Sequence, residues 1–76
     1  MKYYVIEVSN GDDRIKGKAV YEYNTVNEAV ATFHQKLATA MKSELYTSEL
    51  VMVINETGRV FKTERYIAIE EEVEEA

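Results

Sequence analysis

Residues 24–42 read NTVNEAVATFHQKLATAMK, and this stretch decides the fold. Thr25 and Glu28 have the spacing of a capping box, in which a hydroxyl and a carboxylate each satisfy an amide that the first helical turn leaves free. Val26, Ala29, Val30, Phe33, Leu37, Ala40 and Met41 then recur every three or four residues, one apolar stripe of 3.6 period. Lys36 and Lys42 fall outside the stripe, and Lys42 suits the negative end of the helix dipole. The pattern predicts a helix over 26–43. Its one apolar side can cover one face of one sheet.

Segments of strand character flank the helix. Before it, Lys2 to Val8 is crowded with β-branched and aromatic residues, with Tyr4, Ile6 and Val8 on one face and Tyr3, Val5 and Glu7 on the other. Ser9-Asn10-Gly11-Asp12-Asp13 is a cluster of turn formers. Lys16 to Tyr23 is a weaker strand, and Lys16, Gly17 and Lys18 resemble the blunted end of a sheet edge. After the helix, Leu50 to Ile54 is an unbroken apolar run between turn signals, a buried strand that begins as early as Tyr46. Asn55-Glu56-Thr57-Gly58 suits a type I turn followed by a left-handed glycine. A last strand follows from about Arg59 to Ile67. The hairpin pairs Asn55 with Arg59, which predicts Val53 opposite Phe61, Val51 opposite Thr63 and Glu49 opposite Arg65.

The order ββαββ makes this an α+β protein. The first and third strands are the most apolar and belong in the centre, so the expected four-stranded antiparallel sheet has the order 2-1-3-4, with the helix on one face. A mismatch follows. Tyr3 and Val5 oppose Tyr4 and Ile6, while Val51 and Val53 oppose Leu50, Met52 and Ile54, so both faces of the central strands are apolar. One set has no cover within the chain, and monomers rarely leave such a patch in water. A homodimer is the expected remedy, since two-fold association is the commonest; a heterologous partner protein and a monomer shielded by its own tyrosines are the alternatives. Candidate interface residues are Tyr3, Val5, Val51, Val53 and Phe61 on the sheet, and Ala31, His34 and Ala38 on a helix flank that also holds Asn27.

At 76 residues the chain suits one small domain, expected over 1–69. A net charge of −5 is concentrated in Glu70, Glu71, Glu72, Glu74 and Glu75, so the remainder carries nine charges of each sign. Residues 70–76 read as a disordered acidic tail. A neutral globule with an acidic tail is a poor match for nucleic acid or for anionic membrane, both of which require a basic surplus. No apolar run approaches a membrane helix, and the N-terminus lacks the regions of a signal peptide, so an intracellular, cytoplasmic protein is expected. Asn55-Glu56-Thr57 matches a glycosylation sequon, and turn chemistry is the better account.

Catalytic chemistry is sparse. There is no cysteine, which excludes disulfides, thiolate metal sites and thiol nucleophiles. His34 is the sole imidazole, and its helical neighbours Val30, Ala31, Leu37 and Ala38 offer neither nucleophile nor orienting acid. Gly11-Asp12-Asp13 resembles a polymerase metal tripeptide but reads as a turn; together with Glu7 it would hold a hard cation only weakly. Neither G-x-G-x-x-G nor G-K-[ST] occurs. The six tyrosines lack the basic groove of a base-stacking module. The expectation is a protein that is not an enzyme, with no cofactor and no metal.

Tyr3-Tyr4-Val5-Ile6-Glu7, Glu28-Ala29, Phe33-His34, Leu37-Ala38, Ala40, Gly58 and Glu64-Arg65-Tyr66 together resemble a set of small uncharacterised proteins of phages and prophages of Firmicutes and gut bacteria. The resemblance spans roughly residues 2–67, and the acidic tail is also typical of that set. It implies a phage-infected or lysogenic bacterial host and no particular activity. Met1-Lys2-Tyr3 and Thr25-Val26-Asn27-Glu28-Ala29 are similar to the opening and the helix start of HicB-like antitoxins, which implies an inhibitor that binds a partner protein. The Pro- and Gly-rich segment and the DNA-binding extension of that family are missing.

Overall fold

A computed structural model describes residues 1–11 and 16–68. Four strands and one helix follow in the order β1 (Tyr3–Gly11), β2 (Lys16–Tyr23), α1 (Val26–Lys42), β3 (Tyr46–Asn55) and β4 (Val60–Ile67). The sheet order is β2-β1-β3-β4, with every neighbouring pair antiparallel. The expected α+β architecture and strand order are therefore present. β2 and β3 both run opposite to β1, which lies between them, so α1 crosses over a strand to join two parallel ones. Crossovers of this kind are right-handed almost without exception, and it is their hand that selects the sheet face a helix covers.

Local chemistry sets the ends of α1. The Thr25 hydroxyl accepts the Glu28 amide at 3.2 Å, the threonine half of the capping box. At the other end the Ser43 amide donates to the Ala40 carbonyl, and the Ser43 hydroxyl accepts the Leu45 amide, which starts the turn into β3. Ala29, Phe33, Leu37 and Ala40 are the buried residues of the stripe. One helical expectation needs correction. Met41 is 56% exposed, at the end of the helix, where Ala40 is the last buried residue of the stripe. Lys36 is only half-exposed and reaches toward the sheet.

The core lies between α1 and the face bearing Val5, Val51 and Val53, which together with Ala29, Phe33 and Leu37 form one buried cluster. Full burial of a side chain of this size is worth roughly 1.5–3 kcal/mol. Tyr3, Tyr21, Tyr23, Phe61 and Tyr66 pack around its margin. The Thr32 hydroxyl donates to the Tyr23 hydroxyl at 2.6 Å, tying the helix to the β2 edge.

Asn55 builds the β3–β4 hairpin. Its buried side-chain oxygen accepts from the amides of Thr57 and Arg59, at 3.0 and 2.9 Å, and from the Thr57 hydroxyl at 2.7 Å. The Asn55 amide donates to the Arg59 carbonyl, and Gly58 takes φ +94, a left-handed conformation open to glycine. The turn is as expected, but the register beyond it is not. Ile54 pairs with Val60 and Val53 with Lys62, so Phe61 is the extra residue of a bulge. It packs on the helix side with its ring centroid 5.8 Å from that of Tyr3. Every later pair moves by one: Val51 faces Glu64, Glu49 faces Tyr66, and Arg65 lies opposite Leu50. The expected Glu49–Arg65 pair is absent because a one-residue slip sends the two side chains to opposite faces.

Candidate functional site

The five sheet residues expected at an interface lie beneath the helix. Val5, Val51 and Val53 have no exposed surface, and Tyr3 and Phe61 pack against them. Ala31, His34 and Ala38 are exposed on the outer side of α1, with Asn27, and the His34 ring stacks edge-on with Phe33 at 5.2 Å. The surface left without cover is the other set. Tyr4, Ile6 and Val8 of β1 lie opposite Ile54, Met52 and Leu50 of β3, all six only partly buried by one another. Glu22, Val20 and Lys18 continue these three rows on β2, and Val60, Thr63 and Arg65 continue them on β4. Val20 is 64% exposed, and Val60 and Ile67 are more than half exposed. Among the described residues no element packs on this face.

Apolar side chains fill its middle and charged ones its margin. Lys2 bridges to Glu22 at 3.2 Å and donates to the Asn24 side chain at 2.9 Å. Strand alternation carries this pattern: Tyr4, Ile6 and Val8 share one side because successive side chains point to opposite faces.

The covered face holds the titratable chemistry. Glu7 and Glu49 are buried, Glu49 completely, on adjacent strands and one diagonal apart. The Ser9 hydroxyl sits between them, against Glu49 Oε1 and 3.4 Å from Glu7 Oε2, and its single proton serves one of the two. Glu7 Oε1 accepts from the Tyr21 hydroxyl at 3.2 Å and lies 3.8 Å from Lys36 Nζ. Lys36 Nζ also stands 4.6 Å from the centre of the Tyr21 ring. Glu49 Oε2 is buried with no donor facing it.

Charge explains the arrangement. Two carboxylates face one ammonium, so a proton retained by the pair makes the cluster neutral. Burial pushes Glu49 up from 4.5 to about 7; hydrogen bonding to Glu7 adds to the shift, and the Ser9 hydroxyl opposes it. A carboxyl group can donate to a carboxylate only while protonated, so burial close to Glu7 favours the protonated form of Glu49. Lys36 is raised chiefly by its contact with Tyr21 and further by the Glu7 charge. The Tyr46 hydroxyl is raised by burial and then by Glu49 and Glu7. Two carboxylates with a lysine beside them make a poor cation cage, and among the described residues no group of three metal-ligating side chains converges. Asp12 and Asp13, the other acids of the expected weak cation site, lie outside the described residues, as does the acidic tail at 70–76.

Glu49 was hidden by its expected pairing with Arg65, though a signal was present. It shares parity with Val51 and Val53, as Glu7 does with Val5. No protein-family model matches the chain, and neither does any curated protein or solved structure. Among the described residues no helix is long and apolar enough to cross a membrane.

Proposed function

We propose that the chain is a non-catalytic assembly module that works as a homodimer, two copies meeting through the open face of the sheet. The observation that carries this is the uncovered block of Tyr4, Ile6, Val8, Leu50, Met52 and Ile54. Four strands about 4.8 Å apart and three to four rows along them span on the order of 400 Å² in projection. That span includes the charged margin; it lies within the ~300–600 Å² of the largest apolar patch on a typical monomer and short of the ~800 Å² per partner of a standard interface, so the dimer proposed is a weak one. The buried carboxyl pair is assigned to the fold rather than to a reaction, since Glu7 and Glu49 present almost no surface to a substrate. A phage or prophage setting agrees with the sequence resemblance and adds no activity to the proposal.

Sedimentation equilibrium across a concentration series tests it. A rise from one chain mass to two, centred at about micromolar concentration, is the expected outcome. A single chain mass throughout overturns the homodimer and leaves the open face to a different protein, the role of an antitoxin-like inhibitor.

A further inference from the structure

We infer that the two copies stack antiparallel, related by a two-fold axis that lies in the interface, runs across the strands and passes through the row of Val20, Ile6 and Met52. This rests on the homodimer proposed above and names how its halves meet.

A face that meets itself must be self-complementary. Along the open side of β2 the sequence of side chains is Glu22, Val20, Lys18, in register with Tyr4, Ile6 and Val8. Rotation about the inferred axis inverts the order of rows and keeps the order of strands. Val20 then meets Val20 and Met52 meets Met52. Glu22 meets Lys18 of the second copy twice, once at each end of β2. Glu22 already holds the Lys2 ammonium at 3.2 Å through Oε2, so Lys18 of the second copy would share this carboxylate with Lys2. The other face-to-face two-fold runs along the strands, keeps the row order and lays β2 over β4. Lys18 then stands over Arg65, because both continue the row of Val8 and Leu50. Like charges against each other disfavour that arrangement, and at an interface such repulsion selects among packings of similar area. Sheets packed face to face stay within about 30° of alignment, which accommodates either axis, so charge decides between them.

Cross-linking between singly substituted chains tests the geometry, and the native chain has no cysteine to interfere. Chains carrying Lys18→Cys are mixed with chains carrying Glu22→Cys, or in a parallel reaction with chains carrying Arg65→Cys. A thiol cross-linker matched to the ~10 Å spacing of packed sheets is then added. The first mixed dimer keeps one native Lys18–Glu22 contact. The expected result is mixed product in the first reaction at roughly tenfold the level of the second, as one pair is held at high effective concentration and the other is not. Equal yields, a preference for the Arg65→Cys mixture, or no product from chains that sediment as dimers overturns the arrangement and leaves the dimer standing. A native chain that sediments as a monomer removes both.

Discussion

The two faces of this sheet invert the usual division of labour. The side under α1 has the valines of the core and also Glu7, Glu49 and Asn55, all buried. The side facing water has six large apolar residues on its two central strands. A monomer would be expected to bury its apolar side and wet its polar one. Here most polar groups of the covered face have a specific partner, and burial favours the neutral form of Glu49, while among the described residues no element covers the open face. Burial of a polar group is thus settled by local hydrogen bonding, and burial of an apolar face by the presence of a second layer.

The contrast breaks most severely at Phe33. Phe33→Ala empties the centre of the covered face and is expected to lose about 3–5 kcal/mol, enough to unfold much of a small domain, as read by urea denaturation. Met52→Ala, measured where the chain is monomeric, is expected to cost less than about 1 kcal/mol, because the site is already open to water. Equal losses would show that the two faces are packed alike.

Next in size is the effect of pH on the covered face. Folded Glu49 keeps its proton up to about 7, whereas the unfolded chain releases it near 4.5. Between these values the folded state binds the extra proton, so stability falls as pH rises and is lower by roughly 3 kcal/mol above neutrality than below 4.5. Glu49→Gln, neutral at every pH, is expected to flatten this slope. Thermal melts from pH 4 to 8 on both proteins check it, and parallel curves would exclude a proton retained on Glu49.

On the open face, Met52→Glu places a charge where two copies are proposed to meet. A loss of roughly 100-fold in self-association, about 2.7 kcal/mol, is expected, with the monomer still cooperative in its melt. Unchanged sedimentation would remove this face from any dimer contact. The smallest effect belongs to a cap that both faces share indirectly. Thr25→Ala is expected to cost about 1 kcal/mol through the lost Glu28 amide contact, read as a shift in the urea midpoint.

Much of this fold is legible from local pattern. The Thr25 cap and the 3.6-residue stripe place the helix within one residue of its observed end. The apolar runs of β1 and β3 place those strands in the centre. Asn55 and Gly58 specify their turn because the side-chain acceptor and the left-handed backbone are properties of those two residues. A surplus of apolar faces is legible as well, but not which of the two the helix covers. Val5, Val51 and Val53 went to the core, since periodicity marks two equivalent sides and does not say which one a helix will take.

Sequence alone thus determined the kinds of element and their order, because capping, turn geometry and periodicity act over a few residues. Tertiary structure decided which face is roofed, through the path of the β2–α1–β3 crossover. It also decided the register of β4, through the bulge at Phe61, and with it the burial of Glu49 opposite Tyr66. The reason is parity: side chains alternate strictly along a strand, so a single inserted residue or the choice of one side for a helix reassigns every residue that follows to a different environment.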